Sequence, residues 1–524
     1  MTAAGKGVAE TVLAKVGSRR ALITLSGILF LTFLDTTIMS VALEDLQATL
    51  HTSVSEIQWV VNGYALLFAS LMLAFGTLGD RLGRKRVMLF GVVVFVAGSV
   101  FGALAPNTDS LIAARAIMGI GAAACEPGTL SILRHLYPDR AARARALGLW
   151  AAVAGLALAM GPVIGGILVG LGGWRAIFWF NLAAGAVALF FALSAVPESS
   201  DPESGHFDFA GFILGPIALG TIVFAIILGE TAGYRAGHVI ALFAIGVVAG
   251  GLFAFAEHRN KAPMLKVDYF RNPAFSGSMV VAFATYFGVF SIFFLTALYL
   301  QIVLAYSAFR LATLFVPMAL AMIVASAFAG RWVALRGPRL PVAIGCFAAG
   351  AGVLLTDLAL AGSVPFTPLI LSLTLAGAGF GIAVVPITSV ALSATPARHS
   401  GMAASATTTA REVGTVVGVA ALGSVFNTKL IDFLTRRLTE LGWPKEVRDI
   451  IISWVLTGKA PPGTEGVVNA AQSQYPEEIK QATQAAYDAV HSGVSLSLLV
   501  AGCVILASGL VAWFTFSAKR LELD

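Results

Sequence analysis

The sequence predicts an all-α membrane protein in which fourteen spanning helices form two six-helix halves with an inserted pair between them. Three observations lead there. Of 524 residues, 58% are hydrophobic and only 12% charged, with a mean hydropathy of +0.86; a soluble chain of this length needs far more polar residues to cover its surface. Apolar segments recur at the roughly 20-residue length that crosses a bilayer as a helix. Lysine and arginine concentrate in alternate loops, as they do on the cytoplasmic side of multi-span proteins.

Six spans begin near Ala21, Gln58, Val87, Leu111, Arg145 and Ala176 and make a half over 21–197, behind a short segment 1–20. Two more begin near Phe209 and Val239 within 198–273. An acidic, Pro-containing stretch, Val196–Asp208, precedes them and a basic one, Glu257–Arg271, follows. The last six begin near Phe275, Leu311, Pro341, Thr367, Met402 and Val494 and make a second half over 274–516, before a tail 517–524. The final inter-span segment, 427–491, is long and polar. It carries amphipathic patches at Leu430–Leu441 and Lys445–Leu456 and an interruption at Pro461-Pro462-Gly463, which predicts a partly helical cap outside the membrane. The 55 glycines suit helices that must approach closely without a hydrophobic drive between them.

Charge orients the chain. Lys6, Lys15, Arg19 and Arg20 precede the first span; Arg81–Arg86, Arg134–Arg145, Arg259–Arg271 and Arg331–Arg339 follow on the same side, whereas Arg175, Arg235 and Arg310 stand in the short opposite loops. Both termini are therefore expected in the cytoplasm of a cell whose cytoplasmic membrane holds the chain. The first apolar run is too long for the core of a cleavable signal, so none is expected. A net charge of +6 and a pI near 9.3 reflect these flanking loops rather than nucleic-acid binding. Cys125, Cys346 and Cys503 all lie in apolar stretches without paired or metal-ligand spacing, so neither disulfides nor a metal is expected. Phosphate-binding loops, nucleophile elbows, zinc-hydrolase motifs and dinucleotide fingerprints are missing from the sequence. ATP-driven or hydrolytic chemistry thus lacks a basis, and no cofactor is expected.

Between spans two and three stands Gly76-Thr77-Leu78-Gly79-Asp80-Arg81-Leu82-Gly83-Arg84-Lys85-Arg86. Its glycines permit a tight turn beside a neighbouring helix, and the Asp80 carboxylate is placed to meet an arginine or a helix N-terminus. A fainter copy, Gly330 to Arg339, occupies the equivalent position in the second half, and two related halves are what a rocking transporter needs. Span one carries Leu34-Asp35-Thr36-Thr37-Ile38-Met39-Ser40-Val41-Ala42-Leu43, span four Arg115-Ala116-Ile117-Met118-Gly119-Ile120-Gly121-Ala122, and span five Gly161-Pro162-Val163-Ile164-Gly165-Gly166. Trp174 to Asn181, Tyr299-Leu300-Gln301 and Arg411-Glu412-Val413-Gly414 follow.

On these motifs the chain, from about Ile23 to Trp513, resembles the major facilitator superfamily, and within it the fourteen-span drug:proton antiporter branch. It departs from the branch pattern at Ser40, Glu44 and Met118, and at Ala183, Ala305, Ala308 and Ala312, where Pro or Gly is usual. The resemblance implies a major facilitator fold that works as a monomer. It implies export of lipophilic, cationic drugs or toxic organic compounds against protons, with membrane lipid as its surroundings. An alternative is a dedicated exporter of one endogenous product, such as an antibiotic, siderophore or lipid. A membrane enzyme or receptor is disfavoured by the duplicated loop and the span-five motif. The resemblance also marks Gly76, Asp80, Arg81, Gly83 and Arg84 as a gating loop. It marks Gly161, Pro162, Gly165 and Gly166 as the antiporter signature, and Arg115 as an arginine that biases proton movement.

The same residues have a physical reading. A carboxylate in hydrocarbon costs a few kcal/mol, so it is paired, protonated or in a wet cavity. Asp35 is either a proton-coupling or cation-attracting group, or a buried hydrogen-bonded Asp that fixes packing with Thr36 or Thr37. Arg115 and Glu126 are eleven residues apart on span four, an offset of about 20° and roughly 16 Å, so both should line one face toward the central cavity. Arg115 is alternatively a clamp on loop carbonyls or a nearby carboxylate. Glu126 precedes Pro127, where a helix break would leave free carbonyls and a water pocket. It is either a second protonatable or cation-selecting site or the ion-pair partner of Arg134 or of another cytoplasmic-side cation. Arg411 is expected as a structural or gating residue, with Glu412 as its local partner or a contact between halves. Asp357 is expected to be interfacial. Gly161 and Pro162 should bend span five and form a close seam, with a helix of the other half or by simple packing. Tyr64, Trp59, Phe287, Phe290, Tyr286 and Tyr299 are candidates for an organic-substrate pocket.

Overall fold

The computed structural model describes residues 3–52, 54–137, 139–200, 208–260, 263–306, 308–361, 366–396, 400–457 and 476–517, and no strand occurs among them. Hydrocarbon cannot satisfy free backbone N–H and C=O groups, so the apolar runs close their hydrogen bonds internally as helices. The first half is built from α1 (Ala3–Ile38), α2 (Leu43–Leu50), α3 (Val54–Leu82), α4 (Arg84–Ala103), α5 (Thr108–Leu136), α6 (Arg140–Gly172) and α7 (Arg175–Ala195). The inserted pair is α8 (Phe209–Ala232) and α9 (Gly237–Arg259). The second half holds α10 (Pro273–Phe290), α11 (Thr296–Ile302), α12 (Ala308–Arg336), α13 (Arg339–Leu360), α14 (Phe366–Ser393), α15 (Ser400–Glu440), α16 (Lys445–Thr457) and α17 (Pro476–Thr515). Among the described residues 13 helices are long and apolar enough to span, and α6, bent by 42° between Leu158 and Met160, makes a fourteenth.

The packing repeats between halves. In the first, α3 and α4 pack on α5, α1 on α6 and α4 on α7; in the second, α12 and α13 pack on α14, α10 on α15 and α13 on α17. The halves meet along two seams, α6 against α12 and α15 against α3, each joining the fifth span of one half to the second of the other. The inserted α8 packs on α9 and also lies on α3 and α15. There Val223 and Ile227 share an apolar cluster with Ala65, Ala69, Val416 and Ala420.

One detail of the segment after span thirteen differs from expectation. The patch at Leu430–Leu441 is not separate: α15 continues unbroken from span thirteen to Glu440, and the buried Leu430, Leu434 and Leu438 give it a core-facing stripe. The second patch forms α16, which folds back on α15 and reaches α3 of the other half. Pro461-Pro462-Gly463, most of the acidic stretch before α8 and the tail from Ala518 lie outside the described residues. Ala305, where the resemblance expects Pro or Gly, follows α11 with a left-handed φ of 50°. That conformation costs a residue with a Cβ about 1–2 kcal/mol, so Ala305→Gly is expected to raise the melting temperature of the purified protein. An unchanged or lower temperature would contradict this.

Candidate functional site

Asp35, Arg115 and Asn181 meet in the interior of the first half, all three fully buried. Arg115 Nη1 donates to Asp35 Oδ2 in an ion pair, and Asn181 Nδ2 donates to Asp35 Oδ1 at 2.6 Å. Arg115 Nε donates to the Val60 carbonyl at 3.1 Å, and its guanidinium lies 4.5 Å from the ring centre of Tyr64. The Tyr64 hydroxyl in turn donates to the Thr32 carbonyl at 2.9 Å. One charged cluster thus fastens α1, α3, α5 and α7 together. Asp35 is not tied to Thr36 or Thr37, whose hydroxyls donate to the carbonyls of Thr32 and of Leu34 and Leu158. Asn181 ends the Trp174 to Asn181 motif, and nothing in its sequence neighbourhood says that it reaches Asp35, 146 positions away.

Arg115 and Glu126 share α5 but serve different neighbourhoods, so a single stripe lining one cavity is not what forms. Arg115 is spent inside its own half. Glu126 stands beside Pro127 where α5 comes against α15 of the second half, and it lies within electrostatic reach of Glu412 and Arg411 there. Pro127 does not break α5, which runs continuously from Thr108 to Leu136; Thr129 Oγ1 donates to the Glu126 carbonyl at 2.7 Å and accepts from Trp150 Nε1 at 3.1 Å. Glu126 is therefore held by an intact helix. Both of its carboxylate oxygens are buried with no hydrogen-bond partner among the described residues.

On α15, Arg411 and Glu412 are both buried, but they are not each other's partner. Adjacent helical residues point about 100° apart. Arg411 Nη2 donates to the Val384 carbonyl at 3.0 Å and to Thr388 Oγ1 at 2.6 Å on α14, and its guanidinium lies 5.4 Å from the Tyr286 ring centre. Glu412 Oε2 is left buried without a partner among the described residues. Glu126, Glu412 and Arg411 thus gather two carboxylates and one fixed cation where the halves face each other. Tyr64 and Tyr286 both lie within electrostatic reach of the two carboxylates. Trp59 instead packs on Phe224 of α8, Phe287 lies against α15, and Tyr299 packs on His491; the side chain of Phe290 lies outside those described.

The span-five motif seals a seam inside the first half rather than across to the second. Pro162 has no N–H to offer the Leu158 carbonyl one turn earlier, and Thr37 Oγ1 donates to that carbonyl at 2.8 Å instead. A Cβ on Gly161 would stand 2.0 Å from Thr37 Oγ1, and one on Gly165 2.8 Å from the Ile38 carbonyl. Gly166 is half-buried. The second half repeats the device: a Cβ on Gly414 or Gly418 of α15 would lie 2.3 or 2.5 Å from the carbonyls of Phe283 or Phe287 on α10. Contact across the halves on α6 occurs at Gly155, against Met322 of α12. Gly161→Ala is expected to destabilise by about 1–3 kcal/mol, as overpacking does, and Gly166→Ala by much less. Equal thermal shifts for the two would contradict the seam.

In the loop motif, Gly76 lies within α3, its Cβ direction facing Ser405 of α15 at 2.8 Å, so it closes the seam between halves. The turn itself is at Gly83, with φ 108°, and Gly337 repeats it in the second half with φ 75°. Arg84 Nε pairs with Asp80 Oδ1 at 2.8 Å across the turn, while Arg81 is exposed. Glu198, which the sequence did not single out, accepts from the Lys85 N–H at 3.0 Å and faces Arg86 at 3.8 Å, so a carboxylate sits at the positive N-terminus of α4. Asp357 is half-buried, beside Ser495 and within electrostatic reach of His491.

The family model described as Major Facilitator Superfamily matches residues 25–419. The chain belongs to the major facilitator superfamily. It is a multi-pass membrane transporter and not an enzyme. It is 32% identical over 490 residues to the multidrug resistance protein Stp of Mycobacterium tuberculosis, covering 93% of this chain and 90% of that one. It is 37% identical over 401 residues to the methylenomycin A resistance protein of Bacillus subtilis, covering 75% and 84%. Among solved structures, the human organic anion transporter MFSD10 superimposes with a TM-score of 0.60 at 14% identity, over 94% of this chain and 99% of that one. The proton:xylose symporter XylE does so at 0.58 and 15%, over 97% and 98%. At such identities these two share the fold alone.

Proposed function

We propose that this major facilitator transporter exports lipophilic, cationic organic compounds in exchange for protons, acting as a monomer in the cytoplasmic membrane with both termini in the cytoplasm. The observation that carries the reading is the charge surplus between the halves. Glu126 and Glu412, when both ionised, outnumber Arg411, and three of their four oxygens are buried without a hydrogen-bond partner among the described residues. An uncompensated buried charge is costly, so the site takes up one positive charge, either a proton or the cationic end of cargo. Competition for that place is antiport. Asp35 and Arg115 compensate each other and are left to position α1, α3, α5 and α7 during the exchange. Names given to relatives, Stp as a multidrug resistance protein and LfrA of Mycolicibacterium smegmatis as a multidrug efflux pump, support the export of drugs.

The test is a panel of cationic, neutral and anionic compounds in reconstituted vesicles with an imposed pH gradient. Gradient-driven accumulation of several unrelated cations supports the proposal. Transport of one compound alone would favour a dedicated exporter, the reading that the relative named for methylenomycin A supports. Uphill movement without a proton gradient would sink both.

A further inference from the structure

Away from the seam between the halves, a groove of about 470 Å³ opens between α15 and α17. Ser405 of α15 sits beside Gly76 near the Gly83 turn, and Lys429 lies 24 residues further along the same helix (405 to 429), about 36 Å at 1.5 Å per residue. The groove therefore lies at the opposite membrane face.

Its walls divide by depth. Toward the aqueous side stand the exposed Lys429 and the half-buried Asp488, His491 and Ser492. Toward the membrane stand Leu496 and Leu499, which are 36% and 47% exposed and face outward from the bundle. The charge-free, mostly apolar run of α17 starts near Val494, so the polar group lies at headgroup level and the leucines at acyl level. His491 Nε2 is buried with no hydrogen-bond partner among the described residues, while its ring packs 5.6 Å from that of Tyr299. Asp488 Oδ1 accepts from Gln484 at 3.0 Å, which steadies the carboxylate.

We propose that this groove binds a phospholipid of the outer leaflet whose headgroup carries both a phosphate and an ammonium. The phosphate faces Lys429, with the Ser492 hydroxyl and His491 Nε2 as further hydrogen-bonding groups. The ammonium faces Asp488, and one acyl chain lies along Leu496 and Leu499. A purely anionic headgroup would meet Asp488 unfavourably, and a small soluble anion would leave the leucine floor uncovered. A lysine and a carboxylate at one groove match a zwitterion.

The full chain, purified in detergent, is titrated with phosphatidylethanolamine, phosphatidylglycerol or water-soluble glycerophosphoethanolamine and observed by native mass spectrometry. The expected result is retention of phosphatidylethanolamine about tenfold over phosphatidylglycerol, with no retention of the soluble headgroup. Asp488→Asn is expected to erase the preference and Lys429→Ala to weaken both lipids. Lys429→Gln replaces the alanine variant if that one melts early. Equal retention of the two lipids by the wild type, retention unaffected by these variants, or equal binding of the soluble headgroup would each overturn the proposal. So would displacement of the lipid by a transported cation, which would make the groove an exit for cargo.

Discussion

Glu126→Gln is expected to lower pH-gradient-driven uptake of a cationic dye into everted vesicles by about a hundredfold, which corresponds to roughly 2.7 kcal/mol, without loss of assembly. The reasoning is charge arithmetic at one place. With both carboxylates ionised beside Arg411 the site carries one surplus negative charge, which a proton or a cationic cargo neutralises. Glutamine at 126 leaves Glu412 to balance Arg411, so nothing remains to be exchanged. Glu412→Gln should act alike, because the surplus and not one address is what couples. Thermal stability should hold or rise, since two unpartnered buried oxygens lose their charge. Uptake within threefold of the wild type for both variants would remove the pair from the mechanism.

The second large effect is on stability. Arg115→Met is expected to cost about 3–5 kcal/mol, the usual consequence of leaving one member of a buried ion pair without the other. Asp35 would then keep Asn181 as donor but face no cation. Asp35→Asn together with Arg115→Met removes both charges and should recover most of that loss, because buried pairs replaced as a unit are often neutral. Unfolding of the two single variants and the double variant, followed by titration with denaturing detergent, gives the coupling energy. Additive losses would mean that Asp35 and Arg115 do not compensate each other. Transport by the double variant separates position from coupling: if Asp35 only positions helices, proton-driven efflux survives in part.

How much of this was legible in the sequence depends on the range of each interaction. Spans, their count and the two related halves follow from composition and periodicity, which are local properties. The Asp80–Arg84 pair is local too, four residues apart across a turn that the glycines announce. Asp35 and Arg115 could be singled out because each is a charge within an apolar run, but the run says nothing of which helix answers it. Asn181 and Glu198 were missed because an amide and a loop carboxylate are unremarkable until the fold brings them to Asp35 and to the start of α4. Pro127 and Pro162 look alike in sequence. Pro162 sits on a helix bent by 42°, and the carbonyl it leaves free is answered by Thr37 from α1, whereas α5 runs unbroken past Pro127. Of the two expectations for Glu412, the geometry favours the contact between halves: neighbours on a helix diverge, α14 supplies the acceptors for Arg411, and Glu412 keeps only an electrostatic link to Arg411 while it meets Glu126. Glu126 meeting Glu412 joins residues 286 positions apart (126 to 412), which no local pattern encodes.

The claim on which the account turns is that a proton and a cationic cargo contend for the same surplus charge between Glu126 and Glu412. The direct measurement is proton release from purified protein in weak buffer when a cation such as tetraphenylphosphonium is added near neutral pH, read by a soluble pH dye. The account predicts release that saturates with cargo binding in the wild type and is lost in Glu126→Gln. Cargo that binds with the same affinity across pH and liberates no proton would contradict it.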